Sequence, residues 1–306
     1  MQCNKCEETA VIELQHAPLC KNHFINYFEQ KVFKTINKFK LIDRKDNICV
    51  ATSGGKDSLT VLYLTKKYMK KYQIKTNLFA LAVDEGIEDY REHTLKDLQE
   101  FCKNHEVELK IVSNKQEFNT SLDEAYTISK YLKKKPCNVC GVWRRYILNK
   151  YSRKLGATKL VTGHNLDDEA QVIVMNLFKA NTALAGRIGP ISGTQKSDFF
   201  VQRVKPLYMC SDKEVRLYTF LKEFKVKYSE CPYSKEGYRH QIQEMLNNFE
   251  SKYKGTKQGI INSFLDLLPK LAQVEQKINP CENCGEASSS KLCNACKIKC
   301  DFDNAQ

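Results

Sequence analysis

ICVATSGGKDS, residues 48–58, joins a short run of β-forming side chains to a glycine-rich turn, and helical periodicity follows over residues 58–72. Backbone N–H groups at the start of a helix attract anions, and the helix dipole strengthens that attraction. Gly54 and Gly55 let the backbone approach a ligand closely, and Lys56 adds a positive charge. The turn therefore predicts a phosphate-binding loop.

The other side chains of the turn suit the same purpose. The hydroxyls of Ser53 and Ser58 can donate to phosphate oxygens, while Asp57 either caps the helix or holds magnesium. Only one residue separates Gly54 from the lysine, so the turn differs from the Gly-x4-Gly-Lys loop of the common NTPases.

Strand and helix patterns alternate along the chain around this loop. The predicted strands are residues 48–52, 78–83, 108–112 and 159–162. The predicted helices are residues 24–40, 58–72, 91–105, 142–155, 167–179, 212–224, 238–252 and 258–277. Because alternation gives way to helices alone, we predict an α/β fold, a doubly wound parallel sheet of Rossmann-like type with a helical C-terminal extension.

Ligands of open parallel sheets lie at the carboxyl ends of the strands. Ala51, Val83, Asp84 and Gly163 follow or end predicted strands, so we expect them to border the bound nucleotide. Ala51 and Val83 would contact adenine through their backbone.

The charge of the chain favours a polyanionic partner. The 306 residues include 49 Lys and Arg against 36 Asp and Glu, a formal net charge of +13. Nucleic acid is the leading candidate, and the alternative is that lysine-rich helices merely face solvent. No stretch has the roughly 20 apolar residues that span a bilayer, and no signal pattern precedes the first module. We therefore expect a cytoplasmic protein with no membrane contact.

Two complete sets of metal ligands stand near the two ends of the sequence. Most of the 14 cysteines occur in C-x2-C pairs, which favours metal binding over disulfides in a chain of this size. Each terminal set offers four ligands at the spacing of a closed, structural zinc site, which leaves no position for chemistry. The sets are Cys3, Cys6, Cys20 and His23 for the first zinc ion, and Cys281, Cys284, Cys293 and Cys296 for the second.

The central cysteines form an incomplete set. Cys137 and Cys140 lie three residues apart, and the next candidate, Cys231, is far along the chain. Three thiolates on a 4Fe-4S cluster would leave one iron open to a substrate atom. The spacing also permits a zinc site with an unidentified fourth ligand, or a redox dithiol. We assign no chemistry to the remaining four cysteines, Cys49, Cys102, Cys210 and Cys300.

These features divide the chain into four predicted parts. Residues 1–25 form an N-terminal zinc module, and residues 26–235 form the catalytic domain with a linker helix at its start. Residues 236–279 form the helical extension, and residues 280–306 form a C-terminal zinc ribbon.

The loop SGGKDS resembles the PP-loop of the ATP pyrophosphatases, which cleave ATP to AMP and pyrophosphate and activate substrates as adenylates. Nearly the whole chain resembles the enzymes that replace the 2-oxygen of a tRNA uridine with sulfur. The shared segments are the N-terminal Cys3His module, SGGKDS, PCNVCGVWRR at 136–145, GHNLDDEAQ at 163–171, ECPY at 230–233 and the C-terminal four-cysteine ribbon. The related cytidine-thiolating enzymes lack the two terminal zinc modules.

The resemblance implies cofactors and residue roles. In that family the three central cysteines hold a 4Fe-4S cluster, the terminal modules bind zinc, and ATP is used with Mg²⁺. Lys56 is expected to bind departing pyrophosphate, and Arg144 to stabilise charge near the ATP phosphates. Of Asp167 and Asp168 we favour Asp168 for catalysis, while His164 is either structural or functional.

The implied reaction begins when the uridine 2-oxygen attacks the α-phosphate of ATP and expels pyrophosphate. Sulfur then displaces AMP, with hydrosulfide at the open iron as the expected nucleophile, supplied by a ubiquitin-like carrier protein or by free sulfide. One alternative carries the sulfur as a persulfide between Cys137 and Cys231 without iron. Another is a non-catalytic zinc-ribbon RNA-binding protein. Family members divide between the wobble uridine and the T-loop uridine, and the paired terminal modules suggest a homodimer.

Overall fold

The computed structural model describes residues 1–14, 17–131, 136–193, 198–226, 231–233, 238–271 and 278–304. The strands are β1 Ile12–Glu13, β2 Pro18–Leu19, β3 Ile48–Ala51, β4 Leu78–Asp84, β5 Glu108–Ser113, β6 Lys159–Val161, β7 Ile191–Ser192, β8 Gln202–Val204, β9 Asn279–Pro280 and β10 Ala287–Ser288. The helices are α1 Lys21–Lys38, α2 Lys56–Lys71, α3 Arg91–Asn104, α4 Asn114–Phe118, α5 Leu122–Tyr131, α6 Pro136–Lys154, α7 Leu166–Phe178, α8 Thr182–Ala185, α9 Asp212–Leu221, α10 Tyr238–Lys252, α11 Thr256–Leu267 and α12 Asn294–Asp303. Within these ranges, no helix has the length and apolar character needed to cross a membrane.

Six strands form the central sheet in the order β5-β4-β3-β6-β8-β7. All neighbouring pairs are parallel except β7 with β8 at one edge. The prediction of a doubly wound, mostly parallel sheet is confirmed. The chain runs outward from β3 through β4 to β5 and then returns to the other side of β3 as β6, so a topological switch point lies between β3 and β6. In open sheets the ligand crevice lies at the carboxyl ends of strands at such a point.

Successive side chains of β4 belong to opposite faces of the central sheet, and helices cover both of these faces. Ala80 and Ala82 belong to the core beneath α2 and α3, where small side chains allow close helix packing. Phe79 and Leu81 belong to the core on the opposite face, which α6 covers with the fully buried Trp143. The sheet therefore carries apolar residues on both faces, as a buried parallel strand requires.

The predicted helical extension packs on the catalytic domain. Apolar side chains of α10 and α11, among them Ile242 and Ile261, share a core with Ala170 of α7. The helix predicted over residues 258–277 ends at Leu267, and residues 272–277 lie outside the described part of the chain. The boundary at 235/236 also lies outside it, so the division into four parts stays a prediction.

The sequence patterns placed the start of α6 wrongly and missed several elements, among them strands β7 and β8 and helices α4 and α5. Helix α6 begins at Pro136, six residues before the predicted start at residue 142, so the C-x2-C pair is helical. Strand β8 reads Gln-Arg-Val and has no apolar run, which is why its pattern did not predict a strand. It forms because β6 supplies a parallel partner and β7 an antiparallel one.

A buried carboxylate of α1 bonds to side chains of two other helices, α2 and α9. Glu29 is 6% exposed, and its Oε2 accepts from Lys67 Nζ of α2 at 2.6 Å. Its Oε1 accepts from the Tyr218 hydroxyl of α9 at 2.9 Å. Burial of this charge is tolerated because both oxygens have donors.

We expect Tyr218→Phe to lower the free energy of unfolding by about 1.5–3 kcal/mol, since it removes a buried hydrogen bond to a charged group. Chemical denaturation of the full chain measures the change. Tyr253→Phe is the matched control because Tyr253 is 66% exposed, and its effect should stay within about 0.5 kcal/mol. Equal stabilities of the two variants would contradict the expectation.

Candidate active site at the carboxyl edge of the sheet

The predicted phosphate loop folds tightly between β3 and α2. Gly54 has φ +84°, and a Cβ there would lie 2.6 Å from the Thr94 carbonyl oxygen, so the position accepts only glycine. Gly55 is the N-cap of α2 and makes no side-chain cap bond. The start of α2 thus keeps the features of an anion site, as predicted.

The two serines shape the loop. The Ser58 hydroxyl donates to the Gly55 carbonyl at 2.8 Å and accepts from the Ser53 backbone N–H at 3.2 Å. Ser58 is 7% exposed, whereas Ser53 is exposed. Of the two hydroxyls predicted to meet phosphate, that of Ser53 is therefore the more accessible.

Lys56 lies between two carboxylates. Its Nζ is 2.7 Å from Asp57 Oδ2 and 2.6 Å from Asp212 Oδ1 of α9. Burial lowers the pKa of Lys56, but the two negative charges outweigh burial and raise it. Asp57 also accepts from Asn165 Nδ2 at 2.9 Å, so it links the loop to α7 and does not cap α2. The lysine is charged and oriented before any ligand arrives.

Four more predicted nucleotide neighbours surround the loop. Ala51 ends β3, and Val83 and Asp84 end β4. The Val83 carbonyl accepts from Arg91 Nε at 3.0 Å. Gly163 follows β6, and a Cβ there would lie 2.9 Å from the Asp57 carbonyl carbon and 3.1 Å from the Ser58 nitrogen. The backbone at Gly163 therefore supports the loop from behind.

The three central cysteines come together beside this loop. Cys137 and Cys140 lie in the first turns of α6, and the Cys137 thiol donates to the Tyr233 carbonyl at 3.1 Å, two residues from Cys231. Burial raises the pKa of Cys231, and the nearby charges of Cys140 and Cys137 add to that rise. Cys140 is buried and Cys137 is exposed. The three thiols could therefore act together as ligands of one group.

A buried glutamate connects the cysteines with the loop. Glu85 directly follows β4 and is 6% exposed. Its Oε2 lies 2.8 Å from Arg91 Nε and its Oε1 lies 3.2 Å from Arg144 Nε. Arg144 Nη2 donates to Cys140 Sγ at 2.9 Å. The predicted phosphate-facing arginine thus contacts a cysteine of the central set.

Both terminal ligand sets fit zinc. Cys6 Sγ and Cys20 Sγ are 3.6 Å apart, and Cys284 Sγ and Cys293 Sγ are 3.7 Å apart. Tetrahedral Zn–S bonds of about 2.3 Å place sulfurs about 3.8 Å apart. In the described part of the chain, these two sets alone keep three or more such ligand atoms within 4.8 Å of one another. The wider spread of the central cysteines suits a larger group than a single ion.

The two neighbouring aspartates have different partners. Asp167 accepts from the Asp212 backbone N–H at 2.8 Å and pairs with Lys257 Nζ of α11, so it joins three helices. Asp168 completes the capping box of α7 and lies 2.6 Å from Arg239 Nη2. Asp168 is the more exposed carboxylate, and its catalytic role stays a prediction.

His164 has several positively charged side chains around it. Desolvation and the charges of Lys205, Arg239, Arg203 and Arg144 lower its pKa to about 3. His164 is therefore neutral at physiological pH, with Nδ1 2.9 Å from the Thr162 hydroxyl.

Comparison with known proteins identifies the family. A sequence model described as a PP-loop domain matches residues 25–242. The tRNA-5-methyluridine(54) 2-sulfurtransferase of Pyrococcus horikoshii is 34% identical over 97% of this chain and 93% of its own. The chain belongs to the PP-loop family of tRNA 2-thiolation proteins.

Two further members of this family support the assignment. Cytoplasmic tRNA 2-thiolation protein 1 of Danio rerio is 31% identical over 97% of this chain and 87% of its own. The solved structure of the U34-tRNA thiolase NcsA from Methanococcus maripaludis, with its [4Fe-4S] cluster, superposes with a TM-score of 0.82. That structure is 34% identical and covers 97% of this chain and 95% of its own.

Sequence reasoning missed several residues of this PP-loop site. Glu85 lies in the loop after β4 and Arg91 begins α3, and only the fold brings them between Ser53 and Cys140. Arg203 was missed because strand β8 was missed. The signal that could have found Glu85 is a second acidic residue, next to Asp84, at the end of an apolar run, a position at the ligand edge of the sheet.

We expect Gly163→Ala to displace the loop, because the new Cβ would meet the backbone of Asp57 and Ser58 at about 3 Å. A shift of about 1 Å in a reacting group can lower a rate roughly 100-fold. ATP-dependent AMP formation measures the loss. Gly259→Ala in α11 is the control, since nothing lies within 4 Å of a Cβ there. Undiminished AMP formation by Gly163→Ala would contradict the supporting role of Gly163.

Proposed function

We propose that this protein is an ATP-dependent tRNA-uridine 2-sulfurtransferase that produces 2-thiouridine, AMP and pyrophosphate. The observation that carries the proposal is the chain of contacts that joins the ATP loop to the central cysteines. Arg91 bonds the loop carbonyl of Ser53 at 2.6 Å, and Arg144, on the same glutamate, bonds Cys140 at 2.9 Å. An ATP loop and a sulfur-handling cysteine set therefore share one cleft.

In the proposed first step the uridine 2-oxygen attacks the α-phosphate and pyrophosphate leaves. Lys56 and the start of α2 bind the departing phosphates, since both present positive charge to them. Asp57 would hold Mg²⁺, and Asp168 would help to position the uridine or the magnesium. Arg144 contributes charge stabilisation and not proton transfer, because an arginine stays protonated.

In the proposed second step sulfur attacks C2 and AMP leaves. Cys137, Cys140 and Cys231 would hold a 4Fe-4S cluster, which supplies an open iron position for the sulfur when it is bound. Cys140 is buried and Cys137 is exposed, so the three residues would hold such a group at the surface of the site, and the chain would supply nearness to the activated carbon.

The remaining parts of the proposal concern partners and location. Sulfur would come from a ubiquitin-like carrier protein or from free sulfide, and two chains would pair as a homodimer. The name of the Danio rerio relative supports a cytoplasmic location. Assays with each sulfur source, sedimentation of the purified protein and fractionation of cells test these points.

The direct test uses protein purified without oxygen and supplied with ATP, Mg²⁺, sulfide and unmodified tRNA. We expect 2-thiouridine by mass spectrometry, with equal amounts of AMP and pyrophosphate, and nucleotide mapping assigns the modified position. Cys137→Ala, Cys140→Ala and Cys231→Ala should abolish the product, and Cys300→Ala should not. Full activity of the three central variants would overturn the proposal. Product formed without iron absorbance would favour a persulfide, and the absence of AMP would favour an RNA-binding protein.

The cleft also has positive charge available for RNA. Arg145 of α6 and Arg203 of β8 have no carboxylate partner among the described residues. Desolvation and the charge of Arg145 lower the pKa of Arg203 to about 10. Unpaired arginines beside a cleft are suited to bind backbone phosphates.

We expect Arg203→Gln to weaken tRNA binding and to reduce the salt dependence of the affinity, because one phosphate contact is lost. The slope of log affinity against log salt should fall in magnitude by about 0.7–0.9. Filter binding across a range of salt concentrations measures it. Arg44→Gln is the matched control, since Arg44 is exposed and precedes β3 at the opposite end of the sheet. Identical slopes for the two variants would exclude the contact.

A further inference from the structure

Two arginines share the Glu85 carboxylate, and each of them contacts a different part of the site. Only 6% of the residue is exposed, and each oxygen contacts one guanidinium, at 2.8 Å for Arg91 and 3.2 Å for Arg144. Two positive charges near one negative charge compensate its burial. The Glu85 backbone is held as well, because its carbonyl accepts from the Leu122 N–H at 2.8 Å. The carboxylate is therefore a fixed point in the site.

The first arginine reaches the ATP loop. Arg91 is 3% exposed and donates from Nη1 to the Ser53 carbonyl at 2.6 Å and to the Thr94 hydroxyl at 3.1 Å. Its Nε is shared between Glu85 and the Val83 carbonyl. The Val83 carbonyl accepts from Arg91 Nη2 as well, at 2.5 Å. The start of the phosphate loop is thus held by a guanidinium that Glu85 and the Val83 carbonyl orient together, and Glu85 supplies the only charge among these partners.

The second arginine reaches the central cysteines. The Arg144 side chain is 48% exposed, and Glu85 is its only carboxylate partner among the described residues. Without that partner a half-exposed arginine would sample several rotamers, because side-chain freedom favours disorder. With it, Nη2 points at Cys140 Sγ at 2.9 Å.

We infer that Glu85 is a positioning residue that holds Arg91 on the ATP loop and Arg144 on the sulfur of Cys140. The inference rests on the proposed function in one respect, that Cys140 ligates the cluster. A guanidinium that donates to a ligating sulfur stabilises the more negative, reduced state and so raises the reduction potential. Loss of the Glu85 charge should therefore change nucleotide binding and cluster potential together.

Substitutions can separate the contact of Glu85 with Arg91 from its contact with Arg144. Glu85→Gln keeps the shape of the side chain and removes its charge, so the contacts with Arg91 and with Arg144 are both weakened. Arg144→Lys keeps a positive charge but cannot bond Glu85 and Cys140 with a planar guanidinium. The contact with Cys140 is therefore lost, while Arg91 stays on the ATP loop. Glu88→Gln is the control, because Glu88 is an exposed acid in the same loop.

The experiment measures the midpoint potential of the anaerobically reconstituted full chain by dye-mediated titration, and ATP affinity by calorimetry. Glu85→Gln should shift the potential to more negative values and bind ATP about tenfold more weakly, the order of one lost charge-assisted interaction. Arg144→Lys should also shift the potential to more negative values, but it should lower ATP affinity less than Glu85→Gln does, because the lysine keeps a positive charge near the phosphates and Arg91 stays on the loop. Glu88→Gln should change neither. Thermal unfolding confirms that each variant is folded.

Wild-type potential in Glu85→Gln overturns the inference, whether or not ATP binding changes. A crystal structure of iron-free Glu85→Gln supplies a second readout, and an unchanged Arg144–Cys140 contact in it also overturns the inference. Failure of the proposed function has a different signature, because wild-type protein would then form no 2-thiouridine while the potentials, affinities and crystal contacts could still be compared.

Discussion

The close packing of the phosphate loop against its two neighbours is the constraint on which the site depends. The loop backbone approaches Thr94 at Gly54 and the end of β6 at Gly163, and at both positions a Cβ would lie within 3 Å of backbone atoms. Such packing brings the start of α2, the end of β4 and the start of α7 to one edge of the sheet. Phosphate binding and the cysteine site can share a cleft because these ends converge.

Buried charges at this edge are each compensated by fixed partners. Glu85 has two arginines, and the buried Glu169 pairs with Lys205 at 2.8 Å. Desolvation raises the pKa of Glu169, and Lys205 opposes that rise. In a region of low dielectric these pairs orient side chains more than they add stability. The two carboxylates are therefore held in fixed positions beside the phosphate loop.

The terminal modules support opposite faces of the sheet. The N-terminal set packs with Phe24 and Phe28 of α1 in the core beneath α2. The C-terminal module packs on the helix that bears Cys137 and Cys140, where Phe302 of α12 meets Trp143 at 5.7 Å between ring centroids. Arg153 of α6 also pairs with the buried Glu286 at 2.6 Å. Metal binding in the second module should therefore stabilise α6 as well as the module itself.

The sequence by itself determined the loop, most of the sheet and both terminal ligand sets. These features are local, since a glycine turn, an apolar strand and a C-x2-C pair each depend on a few neighbouring residues. Local pattern also indicated Cys137 and Cys140 as a pair, but it could not bring Cys231 to them. Strand β8 and the helical start of α6 were not predicted for a related reason. Their stability comes from partners that are distant in the chain.

Only the tertiary structure decided which charged side chains meet. Glu85, Arg91 and Arg144 are spread over 60 residues of sequence, and nothing in their spacing links them. They converge because α6 covers one face of the sheet and begins at the edge where β4 ends. Long-range side-chain contacts follow from the packing of whole elements, and that packing is not encoded in any short stretch of residues.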